Sequence, residues 1–120
     1  MPKQKETGYN LARVRFEIIL SPDASRQFRK LPAHVRAQVR DAIERHLRHE
    51  PSKLSKSRVK RLRGVDRPQY RLRVEDTRVF YDVNARTVEV LAIVSKAEAQ
   101  AWLDDEGTPS TPGGPGRSQR

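Results

Sequence analysis

An α+β domain is what this sequence predicts: an N-terminal strand, a two-helix hairpin, then antiparallel strands forming one small sheet, closed by a short C-terminal helix. Three observations carry that prediction. Apolar and polar residues alternate along residues 13–20 and again along 69–83, which is the period of half-buried strands. Between these stretches, residues 22–50 place apolar side chains at helical spacing, divided by Pro32 and stopped by Pro51. After them, residues 87–94 are apolar on both faces, as expected for a strand in the interior of a sheet.

The first strand follows from Val14, Phe16, Ile18 and Leu20 alternating with Arg13, Arg15, Glu17 and Ile19. Ser21-Pro22-Asp23 then supplies an N-cap, a proline at the first helical position and an acid in the first turn, and Ala24, Phe28 and Leu31 share one helical face. Pro32 ends that helix at Leu31 and opens a second, in which Val35, Val39, Ala42, Ile43, His46 and Leu47 recur at helical spacing. Leu62 marks a short strand. In the next two strands Tyr70, Leu72 and Val74 oppose Arg71 and Arg73, and Val79, Tyr81 and Val83 oppose Arg78 and Phe80. If Glu75 and Asp76 form a two-residue hairpin loop, Val74 faces Thr77, Arg73 faces Arg78, Leu72 faces Val79 and Arg71 faces Phe80. In the last strand Val88, Val90, Ala92 and Val94 share one face, and Leu91 and Ile93 the other. Ser95 and Glu98 then form a capping box for a helix with Ala99, Trp102 and Leu103 on its apolar side.

A chain of 120 residues suits one domain. Residues 1–12 read as a flexible lead-in, 13–103 as the domain, and 104–120, rich in Gly, Pro, Ser and Thr, as a disordered tail. There is no cysteine, which excludes disulfides, thiolate metal sites and cysteine nucleophiles. With no apolar N-terminal stretch and no run near the length of a membrane span, a soluble cytoplasmic protein with no membrane partner is expected.

The net charge of +10 points to polyanionic partners. Between Lys53 and Arg73 nine basic residues accompany one acid, Asp66, so +8 of the charge lies in that stretch. Arg71, Arg73 and Arg78 then fall together on the sheet face away from the hairpin. Like charges placed opposite one another destabilise a strand pair. Two readings remain open: a solvated face balanced by Glu75, Asp76 and Asp82, or a site for phosphate, which guanidinium groups bind bidentately.

The segments KRLRG (60–64), YRLRVEDTRVFYDV (70–83) and VEVLAIVSK (88–96), with RQFRKLP (26–32) upstream, resemble in their order the RelE/ParE toxin superfamily, RelE-like in particular, over about residues 14–103. The resemblance implies two helices packed on a mostly antiparallel sheet. It also implies the toxin of a type II toxin-antitoxin system, a metal-independent endoribonuclease that cuts messenger RNA on the ribosome and is neutralised by a cognate antitoxin. Carried over by position, Arg71, Arg73 and Arg78 would be catalytic, with Lys60, Arg61, Arg63, Phe80 and Lys96 binding RNA, Phe80 by stacking on a base. Active members place an arginine after the Lys96 position and a tyrosine or histidine near the chain end. Here Ala97, Trp102 and Leu103 stand instead. That departure keeps an alternative open: a ParE-like or catalytically degenerate toxin that binds DNA gyrase or nucleic acid without cleavage.

Arginine remains protonated at ordinary pH, so a proton acceptor would have to be Glu75, Asp82 or Glu98, whose other roles are pairing with arginines or, for Glu98, closing the helix cap. His46 and His49 share a helix face with no third ligand nearby, so no metal and no cofactor is expected. Trp102 reads as a core anchor for the last helix rather than a stacking residue.

Overall fold

The computed structural model describes residues 14–110. In chain order it contains β1 (Glu17–Leu20), α1 (Pro22–Lys30), α2 (Ala33–Leu47), β2 (Val59–Arg61), β3 (Val65–Arg67), β4 (Tyr70–Val74), β5 (Thr77–Val83) and β6 (Thr87–Ser95). A single 3₁₀ turn (Lys96–Glu98), α3 (Ala99–Glu106) and a two-residue strand β7 (Thr108–Pro109) follow. The α+β class stands, with a mixed five-stranded sheet in the order β1-β6-β5-β4-β2. Only β1 runs parallel to its neighbour β6. The predicted lead-in, residues 1–12, lies outside the described residues.

Strand β1 is shorter than its alternation suggested. Its first residue, Glu17, pairs with Thr87, where β6 begins, so residues 14–16 have no strand to pair with. The Phe16 N–H donates instead to the Arg48 carbonyl at 2.8 Å. Ser21 caps α1 as predicted, its hydroxyl accepting from the Ala24 N–H at 3.0 Å.

The same hydroxyl donates to the carbonyl of Leu91 at 3.0 Å, and this second bond has a cause in the sheet. Phe80 pairs with Ala92 but Tyr81 with Val90, so Leu91 is an extra residue and β6 bulges there. The bulge disturbs the local ladder. Helix α1 and its cap take up the disturbed groups: the Ser21 hydroxyl donates to the Leu91 carbonyl, and Gln27 Oε1 accepts from the Ile93 N–H at 2.7 Å. The bulge also corrects the predicted faces of β6. Val88, Val90 and Ile93 turn toward the helices, whereas Ala92 and Val94 turn away.

The main core lies between the helical hairpin and the sheet. Ala24, Val39, Ile43 and Leu47 meet Leu72, Val79, Tyr81, Val88 and Val90 there. Tyr81 is buried, and its hydroxyl donates to the Pro51 carbonyl at 2.7 Å, anchoring the loop after α2. On the other face a smaller cluster of Phe80, Ala92 and Val94 is covered by Ala99, Trp102 and Leu103 of α3.

The β4–β5 hairpin has the predicted register at all four positions: Val74 with Thr77, Arg73 with Arg78, Leu72 with Val79 and Arg71 with Phe80. Glu75 turns the chain with φ of 53°, a left-handed conformation that costs a residue bearing Cβ roughly 1–2 kcal/mol.

Residues 104–110, assigned to the tail by composition, belong to the fold. Helix α3 continues through Glu106, and β7 pairs with β3. Ser110 completes the strap, its N–H donating to the Gly64 carbonyl at 3.0 Å. At the helix end, a Cβ on Gly107 would lie 2.6 Å from the Leu103 carbonyl oxygen, so the chain turns into the strap only with glycine there. Residues 111–120 lie outside the described residues.

Trp102 stacks on Phe80 with ring centroids 5.2 Å apart and planes inclined by 8°, which makes it the anchor of α3. Trp102→Ala is expected to cost about 2 kcal/mol, from lost apolar contact and stacking. Urea unfolding followed by circular dichroism measures it, and an unchanged midpoint would show that the strap alone holds α3.

Candidate nucleic-acid interface

The alternation of β4 puts Leu72 into the core and Arg71 and Arg73 on the opposite face. Neighbouring strands extend that face: Lys60 of β2 pairs with Arg71, and Arg78 of β5 pairs with Arg73. Three arginines and a lysine therefore stand on adjacent strands, about 4.8 Å apart at their backbones. Arg73 is exposed and Arg71 half-buried, while Arg78 retains 9% of its surface.

Arg78 folds back over the hairpin turn, where Nη1 donates to the Glu75 carbonyl at 2.7 Å and the Thr77 carbonyl at 3.1 Å. Carbonyl oxygens bear no net charge, so the guanidinium charge is not neutralised. Arg71 reaches the Ser57 carbonyl through Nη2 at 3.3 Å, but its Nε is buried without a hydrogen-bond partner among the described residues. Burial lowers the Arg71 pKa from its ordinary value, and the charges of Arg78 and Arg73 lower it further. A buried N–H donor in a field of like charge is an arrangement that an anion relieves.

Two of the three candidate acids, Asp82 and Glu98, are engaged elsewhere. Asp82 accepts from the Gln69 N–H at 2.7 Å and pairs with Arg67 Nε at 2.9 Å, and Arg67 also reaches Glu89 at 3.0 Å. This network ties the loop before β4 to β5 and β6. It removes Asp82 from the list of free bases. Glu98 contributes its N–H to the Ser95 hydroxyl at 3.2 Å in the helix cap. Glu75 remains exposed at the turn, lining the same groove as Arg73.

The other expected contact residues divide. Lys60 shares the Arg71 face. Arg61 points to the opposite one, with its guanidinium carbon 5.1 Å from the centre of the Tyr70 ring. Arg63 is exposed in the loop between β2 and β3. Lys96 is exposed beside the hairpin turn, where its N–H donates to the Asp76 carbonyl at 2.7 Å. Phe80 is a correction: with 1% of its surface exposed beneath Trp102, it offers no free ring face to a base. Sequence reasoning read Phe80 as open because it could not see that α3 crosses this face. It also missed the Arg67–Asp82–Glu89 network, whose members are joined only by the fold. Among the described residues no three His, Asp or Glu side chains are grouped to hold a metal ion.

A mixed sheet with a helical hairpin on one face and cationic strands on the other is the build of RelE/ParE-type toxins of type II toxin-antitoxin systems. The fold is similar to that in the RelB-RelE antitoxin-toxin complex from Methanococcus jannaschii, with 18% identity, TM-score 0.55, and coverage of 70% of this chain and 96% of that one. It is similar also to the RelBE2 complex from Mycobacterium tuberculosis, with 24% identity, TM-score 0.57, and coverage of 70% and 94%. A third likeness is the RelE-RelB complex from Pyrococcus horikoshii, with 24% identity, TM-score 0.53, and coverage of 69% and 97%. The family model described as the ParE toxin of type II toxin-antitoxin systems, parDE, matches residues 18–100, and the chain belongs to that family. No curated protein matches it. Most of α3 and all of β7 lie beyond the matched residues.

Proposed function

We propose that this toxin inhibits translation by cutting messenger RNA on the ribosome, with Arg71, Arg73 and Arg78 holding the scissile phosphate and a cognate antitoxin protein as its neutralising partner. The observation that carries the reading is the half-buried guanidinium of Arg71, whose Nε lacks a partner among the described residues while the charges of Arg78 and Arg73 act on it. A phosphate oxygen supplies the missing acceptor.

In the reaction, the ribose 2'-oxygen bonds to the adjacent phosphorus and the bond to the 5'-oxygen breaks, leaving a 2',3'-cyclic phosphate and a 5'-hydroxyl. The 2'-hydroxyl loses a proton and the leaving oxygen gains one. Permanently charged arginines stabilise the negative charge gathered on phosphorus but do not accept the proton. Glu75, exposed and lining the same groove as Arg73, is the acid assigned to accept it. Lys60, Arg63 and Lys96 extend the cationic surface along the RNA. The chemistry needs no metal and no cofactor, and the cytoplasm, where ribosomes and messages meet, is where it would operate.

A second reading has its own support: inhibition of DNA gyrase, or of a nucleic acid, by binding alone. Ala97, Trp102 and Leu103 stand where active RelE-like proteins carry arginine and tyrosine or histidine, and the matching family is ParE. Adding the purified protein to cell-free translation and mapping message ends by primer extension decides between them. Ribosome-dependent new ends support cleavage. Intact message together with inhibited gyrase supercoiling overturns it in favour of binding.

A further inference from the structure

Around the β2 edge of the cationic face, a groove of about 390 Å³ opens between α2 and β4. Its charged lining comes from three parts of the chain: Asp41, Arg45 and His46 on α2, Arg58 just before β2, and Arg73 and Glu75 at the end of β4. An adjoining cavity of about 460 Å³ shares Arg45, His46 and Arg58, and adds His49, Glu50 and Lys53. The three shared residues form the wall between the two spaces.

Ion pairing within this region is uneven. Arg45 pairs with Asp41 at 3.0 Å and Lys53 with Glu50 at 3.8 Å, whereas Arg58 makes no ion pair among the described residues. The Arg58 backbone is held on both sides: its N–H donates to Ser55 Oγ at 3.0 Å, and its carbonyl accepts from the Arg73 N–H at 2.8 Å. Arg58 and Arg73 are thus rooted side by side on adjacent segments of the chain. His46 is half-buried, and burial, then Arg58, then Arg45 lower its pKa from the ordinary imidazole value, with Asp41 opposing them. The groove therefore presents a guanidinium on an anchored backbone, without an ion pair among the described residues, beside an imidazole whose pKa burial and the neighbouring cations lower.

We propose that Arg45, His46 and Arg58 form a phosphodiester-binding subsite, into which an RNA strand leaving Arg73 passes around the β2 edge. The inference rests on the reading that the Arg71–Arg73–Arg78 face binds RNA. Continuity of the groove with Arg73 selects RNA over an acidic peptide. The guanidinium of Arg58 takes phosphate oxygens as a fork, and the bound negative charge favours protonation of His46, which then donates to the same phosphate.

The test uses the full chain and 2'-O-methyl oligoribonucleotides, which cannot be cut by 2'-oxygen attack. Imidazole proton resonances of the three histidines are titrated by NMR alone, with a dinucleotide and with a hexanucleotide. The hexanucleotide is expected to raise the His46 pKa and the dinucleotide to leave it in place. Arg58→Ala is expected to cut the affinity advantage of the hexanucleotide about tenfold and to reduce the slope of log K against log salt by about 0.7, the loss of one single-strand phosphate contact. A hexanucleotide that binds without moving His46, or an Arg58→Ala protein that keeps the full advantage and slope, overturns the subsite while leaving RNA recognition standing. A His46 response to inorganic phosphate or to a poly-glutamate peptide but not to the hexanucleotide overturns it in favour of those anions. Absence of all oligonucleotide binding overturns the RNA reading itself.

Discussion

Arg71→Ala/Arg73→Ala protein is expected to lose at least a hundredfold in message cleavage and to be harmless when expressed without antitoxin, while folding as well as the unmodified chain. The size follows from removing two preorganised charges from a phosphoryl transition state, where the loss of a single donor costs about 10²–10³ in rate. Stability moves the other way. Arg71 is desolvated beside Arg78 and Arg73, with its Nε unpartnered among the described residues. Replacing it with an apolar side chain of similar length, Arg71→Met, is therefore expected to stabilise the fold by about 1 kcal/mol, in line with other buried charges exchanged for well-packed apolar residues. Primer extension in cell-free translation measures the first effect and urea unfolding the second. A double mutant that cuts normally would remove both arginines from the site. An Arg71→Met protein less stable than the parent would show that Arg71 is there to hold the fold.

Leu72→Ala, one residue along from each of these arginines, is expected to do the reverse and cost about 2–5 kcal/mol in unfolding free energy. Leu72 is fully buried, between Val59 of β2 and Val79 of β5 in the register. Truncating it opens a cavity in the centre of the sheet, and a domain of this kind has only about 5–15 kcal/mol in total. Residual cleavage by the folded fraction is expected to be near normal at low temperature, because the outward-facing arginines keep their strand. Chemical denaturation gives the loss of stability, and an assay at a temperature where circular dichroism shows folded protein gives the activity. A loss under 1 kcal/mol would mean that the sheet closes around the missing side chain.

The opposite outcomes expected from adjacent residues trace back to a two-residue period visible in the sequence. Alternation along 69–83 and the short Glu75-Asp76 connection were sufficient to set the β4–β5 register, because a slip of one residue would have turned Leu72 and Val79 to the outside and the arginines into the core. Ser21 and Pro22 likewise marked the start of α1 through a local hydrogen bond. What is decided by neighbours a few residues apart can be read from the chain.

Only the tertiary structure decided the rest. Leu91 looks like any other apolar strand residue, and it is the hydrogen bonds from Ser21 and Gln27, about 70 residues away, that accommodate the bulge and change which side of β6 enters the core. Phe80 alternates onto the cationic face as the sequence says, yet the crossing of α3 buries it under Trp102. The polar stretch after Leu103 gains structure because β3 offers it an unpaired strand edge, which composition cannot reveal. Arg58 and His46 meet across a groove only because α2 and β4 pack on either side of it. The sequence alone determined periodicity, caps and the sign of the surface. Which distant groups satisfy one another's hydrogen bonds and charges depends on how the helices cross the sheet, and no local pattern encodes that.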